Sequence, residues 1–403
     1  MTTTTEAPTP EQRATYGHVL ADPIYRLLFV TRGLAIAADS LRILALSVLI
    51  YAATSSPLLG ALAFGAGFLP QLFGSALFGA VADRVRPRRI IVLGYAVECA
   101  TAVLLAMLRL PVGVSLAMVA AVACFMPVFG GASARVIAET LKGDAYVLGR
   151  SLSTMSASAA QLIGLAGGGL AIAALGSPQR ALLVSAVLHA TAALAVRLRL
   201  PNLAAVRAEG SVMRHSWHGN RALLADRRIR RLLLAQWLPP AFSVGAEGLL
   251  VAYAAERGFV AGAAGFLMAC LPVGMFAGDL IVGRLAAPRT RERLVVPLVA
   301  LLGLPLVALG LAVPLPAALG LLLLSGGGFA YTLGLQRTFL DALPEAMRGQ
   351  GFGLLSSGLM TAQGLGPAVF GALALVTGVQ AAVALAGAAT ALSMVVVSVA
   401  RPS

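Results

Sequence analysis

The sequence predicts an all-α membrane protein of twelve transmembrane helices, arranged as two pseudo-symmetric six-helix bundles. Three observations carry this. Of the 403 residues, 59% are hydrophobic and 11% charged, with a mean hydropathy of +0.89. Soluble domains carry about 25% charged residues, so the ordinary soluble classes are excluded. The apolar residues fall into twelve runs, and a helix of about 20 apolar residues crosses a bilayer. The runs also repeat. Ala160-Gln161, Gly164 and Gly169 recur 202 positions later as Ala362-Gln363, Gly366 and Gly371, and Gly149 recurs as Gly351.

Residues 1–25 read as a polar tail ending in a turn or short helix near Asp22-Pro23, without the apolar core of a secretory signal. The spans follow at roughly 27–51, 58–81, 90–109, 113–138, 150–175 and 181–198, then 231–254, 261–285, 294–312, 315–340, 350–376 and 380–399. Pro, Gly or charge separates them, as at Ser56-Pro57, Leu110-Pro111, Ser177-Pro178, Val313-Pro314 and Thr377-Gly378. Residues 26–198 and 231–400 make the two bundles, and the polar segment 199–230 links them. Duplicated halves are a mark of secondary transporters, whose substrate sites lie between the repeats near the bilayer midplane. With 44 Gly, helices can approach closely, because small residues make helix interfaces in lipid.

Charge sets the sidedness. Arg84, Arg86, Arg88 and Arg89 fill the loop after span two, nine arginines from Arg197 to Arg231 crowd the central segment, and four from Arg284 to Arg293 follow span eight. The opposite loops show only Arg109, Arg180 and Arg257. Short arginine-rich loops stay cytoplasmic, so both termini are expected in the cytoplasm and the protein in the inner membrane. The net charge of +14 is thus a topology signal that also favours anionic lipid headgroups, and nucleic acid is not an expected partner. Cys99, Cys124 and Cys270 lie within spans and show neither metal-binding nor disulfide spacing.

The loop from Gly79 through Asp83-Arg84 to Arg88-Arg89 resembles the loop 2–3 signature of the major facilitator superfamily, with Arg86 and Pro87 departing from it. Gly164-Leu165-Ala166-Gly167-Gly168-Gly169 in span five is similar to that family's antiporter motif, although Leu165 stands where Pro is expected. Its counterpart in span eleven, with Gly366, Pro367 and Gly371, keeps the Pro. Asp341 to Gly351, containing Arg348-Gly349, is like the loop 10–11 pattern of superfamily exporters. The resemblance covers essentially the whole chain and points to the branch that includes macrolide, multidrug and siderophore efflux proteins. It implies a secondary transporter that rocks between two states, with Asp83 latching near the start of span eleven, where helix N-termini attract carboxylates. By the same analogy the protein is a monomer with no cofactor, driven by the proton gradient.

Charges inside spans are functional candidates by default. Asp39 and Arg42 lie midway along span one on one helix face, and Glu247 lies at comparable depth in span seven. A carboxylate in low-dielectric surroundings is a natural proton carrier, because desolvation penalises its charged form. Asp39 is the favoured proton-coupling acid, with Arg42 tuning it. Glu247 is the second choice, or the ion-pair partner of Arg42; a purely structural pair is the alternative. Glu98 and Asp279 rank lower, Arg135 and Glu139 read as gating pairs, and His189 reads as a packed residue. Gln71, Gln161, Tyr331, Gln336 and Gln363 are the expected cavity lining, suited to a hydrophobic or amphiphilic small molecule. An importer or facilitator is the alternative transport reading. A membrane enzyme lacks a catalytic cluster or phosphate-binding loop in the sequence, and a transport-dead sensor lacks a large soluble domain.

Overall fold

The computed structural model describes residues 15–78, 85–202 and 220–399. Gly79, Asp83 and Arg84 of the loop signature lie outside the described residues, as does most of the linker. Among the described residues, twelve helices are long and apolar enough to cross a membrane. Spans one to six are Pro23–Thr54, Pro57–Gly74, Pro87–Met107, Val112–Thr140, Leu148–Leu175 and Pro178–Arg199. Spans seven to twelve are Arg227–Glu256, Ala263–Leu285, Arg289–Leu309, Leu315–Ala342, Gln350–Thr377 and Val379–Val399. These match the sequence-predicted runs to within a turn and a half, about 5 residues; the widest gap is at the start of span nine, Arg289 against 294, and the span-two helix continues to Phe78, where the described residues stop.

The starts follow local chemistry. Pro23, Pro57, Pro87 and Pro178 each occupy the first turn, where a missing N–H costs nothing. The Asp22 carboxylate accepts from the Tyr25 N–H at 2.8 Å, and the Asp226 carboxylate from the Arg228 and Ile229 N–H groups at 2.7 and 3.0 Å. Span one ends at Ser55, which adopts the left-handed conformation at φ 50°. Several spans are broken: span two turns at residues 66–68, span seven at Gly248-Leu249, and span ten passes through a 3₁₀ turn at Gly328–Ala330. Discontinuous helices are tolerated at membrane depth where they line a cavity or lie buried in protein.

Spans one to six pack among themselves, as do spans seven to twelve. The apolar packing is uneven along the membrane normal. On the side away from the arginine-rich loops, one continuous cluster joins both halves, running from Leu44 and Leu165 to Leu250, Leu267 and Phe370. On the arginine-rich side there are two separate clusters. One, around Tyr25, Ile91 and Val136, belongs to the first half. The other, around Leu232, Tyr331 and Phe339, belongs to the second. The halves are therefore sealed together on one side and parted on the other. Large apolar side chains such as Leu198, Leu285 and Val376 are exposed on the outer surface, as a lipid-facing surface requires.

Candidate functional site

Where the halves part, a cavity of about 840 Å³ opens between them. Sites for small ligands run from about 300 to 1,000 Å³ and are mostly apolar with a few polar groups. The second half supplies most of the wall, from spans seven, eight, ten and eleven, and span five contributes Ser158 and Gln161. The apolar lining is aromatic and branched, with Phe276, Phe329, Phe352 and Leu359. The polar lining is amide-rich, with Gln161, Gln236, Gln336 and Gln363, and its charged members are two carboxylates, Glu247 and Asp279, and one guanidinium, Arg337. Gln161 and Gln363 occupy equivalent places in the two repeats. Tyr331 is instead fully buried, with its hydroxyl 3.3 Å from the Gln236 carbonyl. Gln71 donates to the Gly67 carbonyl at 2.5 Å, in the broken part of span two, and is not in the cavity wall.

Glu247 sits at the last helical residue before the span-seven break. Among the described residues no basic side chain lies within ion-pair distance of it. It is therefore not the partner of Arg42, which the shared depth in the two repeats had left open. Arg42 turns to span three instead. Its Nη2 lies 3.0 Å from Asp39 Oδ1 and 3.0 Å from Glu98 Oε2. His189 of span six completes the group, with Nε2 3.4 Å from Asp39 Oδ1. Glu98 and His189 were the lesser candidates in the sequence because nothing in a linear chain shows that spans one, three and six rotate these faces together. Asp39, Glu98 and His189 each place a ligand-type atom within 4.8 Å of the others. The Arg42 guanidinium already fills the cationic place between the two carboxylates, which disfavours a metal ion there.

The glycine motifs lie at the helix contacts. A side chain at Gly164 would strike the Ala37 carbonyl and Ser40, and one at Gly168 would crowd Leu41 and Leu44; both contacts are with span one of the same half. Gly366 does the same against Ala241 and Gly245 of span seven. Gly169 meets Gly262, which caps span eight, and Gly265 within it, in the opposite half, and Gly371 meets Leu58 and Ala61 of span two, also across the halves. Pro367 packs over Gly248 at the span-seven break. At Gly262 the need for glycine is double, because φ is +87° and the Gly169 carbonyl lies against it. Near the arginine-rich side, Arg88 donates to the Arg197 carbonyl, tying span three to span six, while Arg89 is exposed. Arg348 pairs with Glu345 at 3.5 Å, and Arg135 pairs with Glu139 at 2.7 Å.

This architecture is shared with solved membrane transporters. A structure of the nucleoside transporter NupG superposes with a TM-score of 0.74 at 14% identity, covering 94% of this chain and 99% of that one. A POT family transporter in complex with 5-aminolevulinic acid gives 0.74 at 10% identity, covering 96% and 97%. A bacterial homologue of the human lysosomal transporter Spinster, in an inward-facing and unoccupied conformation, gives 0.69 at 15% identity, covering 94% and 96%. At such identities the likeness is one of fold. No curated protein sequence matches the chain. The sequence profile of the Major Facilitator Superfamily, however, matches residues 28–344, which takes in the first ten spans and both sides of the cavity. With its twelve spans, its paired halves and the cavity between them, the chain belongs to the major facilitator superfamily of membrane transporters.

Proposed function

We propose that the protein exports a hydrophobic or amphiphilic small molecule from the cell by proton antiport, alternating the side on which its central cavity opens. The supporting observation is the cavity itself: about 840 Å³, walled by phenylalanines, amides, two carboxylates and Arg337, and lying on the arginine-rich side. By the positive-inside rule that side is cytoplasmic, so the protein sits in the inner membrane with both termini inside and takes up cargo from the cytoplasm or inner leaflet. Asp39, held by Arg42 and reaching the accessible surface, is the proton-coupling acid of this reading. Glu247, unpaired in the cavity wall, contacts cargo and favours a cationic group on it. Rocking would part the glycine contacts of spans five and eight and of spans two and eleven, and close the cavity mouth, with Asp83, Arg84 and Arg348 in the closing latch.

The amide set, Gln161, Gln236, Gln336 and Gln363, supports a second reading, uptake of a polar metabolite. NupG is a nucleoside transporter, and the POT relative holds 5-aminolevulinic acid. Both readings are tested in a bacterium stripped of its own pumps and expressing this chain. Fluorescent amphiphiles should accumulate less than in the empty host, and an uncoupler should restore them. Asp39→Asn should abolish uphill efflux while sparing downhill exchange. Unchanged accumulation across a broad panel, with the protein verified in the membrane, would sink the export reading. Uphill efflux by the Asn variant would remove Asp39 as the carrier.

A further inference from the structure

We infer that His189 is a proton-binding site of this transporter, holding one exchangeable proton as a buried imidazolium clamped against Asp39. The hydrogen-bond chemistry leads there. His189 Nδ1 lies 3.0 Å from the Ser185 carbonyl and 3.4 Å from Ser185 Oγ. The carbonyl can only accept. The Ser185 hydroxyl spends its single hydrogen on the Ala38 carbonyl at 2.8 Å, so toward the ring it too can only accept. Nδ1 must therefore carry a hydrogen. A neutral imidazole has one N–H, and this one is already used. The other nitrogen, Nε2, faces Asp39 Oδ1 at 3.4 Å and has no other hydrogen-bond partner among the described residues. Two bare acceptors would confront each other in the interior unless a second proton sits between them. Because the same Oδ1 already accepts from Arg42 Nη2 at 3.0 Å, it is held as a carboxylate oxygen and the proton belongs on Nε2.

Charge balance leads to the same place. Arg42 supplies one positive charge against two carboxylates, Asp39 and Glu98, so with a neutral ring the cluster carries a net negative charge. Its side chains are almost sealed: His189 is 0% exposed, Glu98 2% and Arg42 7%. An uncompensated charge in such a place is costly, whereas a paired and neutral set is tolerated. One proton within the cluster brings it to zero, and the hydrogen bonds place that proton on His189. The surrounding elements offer no substitute. Arg32 of span one and Tyr95 of span three lie nearest on the arginine-rich side, and among the described residues no basic side chain other than Arg42 and His189 is within ion-pair distance of Asp39 or Glu98. Span five has no titratable side chain beyond Arg150. Asp39, at 21% exposed, is the most open member, so it is the exchange point through which the His189 proton enters and leaves when the halves rock.

The proposal rests on the antiport reading for its use but not for its test. The full-length protein is prepared in detergent with His18, His215 and His218 changed to Gln and with isotopically labelled histidine, so that the single ring is read by nitrogen NMR. The expected result at neutral pH is one signal with both ring nitrogens protonated. Glu98→Gln, which removes one negative charge, should return the ring to the neutral form protonated on Nδ1 alone. Where that variant fails to give monodisperse protein, the unmodified cluster alone decides. A neutral ring in the parent protein overturns the proposal, even if efflux is uncoupler-sensitive. A protonated ring in a protein whose transport ignores the uncoupler keeps the proton site and discards the antiport reading instead.

Discussion

Arg42 contributes little stability as an isolated ion pair and much as a counter-charge. Burying two opposite charges roughly breaks even, whereas removing one partner strands the rest, at a cost of about 3–5 kcal/mol. Here the stranded groups would be two carboxylates, Asp39 and Glu98, both within 3.0 Å of the guanidinium. Arg42→Met should therefore lower the melting temperature in detergent sharply, and adding Glu98→Gln should recover much of the loss. A single variant that melts like the parent would mean that the two carboxylates do not both carry charge. The residues of this cluster were legible one by one in the sequence, because a charge inside an apolar run stands out. Their grouping was not legible. Asp39 and Arg42 share a helix face by spacing alone, but Glu98 and His189 reach them only through the rotation of spans three and six. That rotation is set by packing along whole helices and leaves no local mark.

The two glycine motifs divide the same residue type between two jobs. Gly164 and Gly366 let spans five and eleven lie against spans one and seven within a half, whereas Gly169 and Gly371 lie at contacts between halves. Within a half the backbones cannot separate, so Gly164→Val forces overpacking, which typically costs about 1–3 kcal/mol. It should lower the melting temperature. Between halves the structure can yield by rocking, so Gly169→Val should leave melting closer to that of the parent and shift the balance away from the state seen here. The readout is a cysteine placed at Ala61, which is fully buried in this state, in a protein whose Cys99, Cys124 and Cys270 are changed to Ser. It should react with a water-soluble maleimide faster in the Gly169→Val background. Equal rates would mean that the span-five contact does not hold the sealed side. The 202-residue repeat made the equivalence of these glycines visible in the sequence. The breaks in spans two, seven and ten were hidden, because Gly248 and Gly328 sit among many other glycines and only the tertiary contacts pick them out.

For the whole molecule, the distribution of apolar packing sets the direction of opening. One cluster spans both halves on the side away from the arginines, and separate clusters leave the arginine-rich side free to part. The cavity follows from that difference, and Gln161 and Gln363 mark it from the two repeats. In the same cysteine-free background, Gln161→Cys or Gln363→Cys should react quickly with a membrane-impermeant maleimide in inside-out vesicles. The reaction should be slow in right-side-out vesicles, where the sealed cluster stands between reagent and thiol. Added cargo that drives the halves through the cycle should narrow the gap, because the cavity then spends time open to the other face. The opposite pattern at rest, fast only in right-side-out vesicles, would reverse the orientation inferred from the arginines. Fast reaction from both sides would mean that the cluster around Leu250 and Phe370 is no seal, and an open passage of that kind is incompatible with coupling cargo movement to a proton gradient.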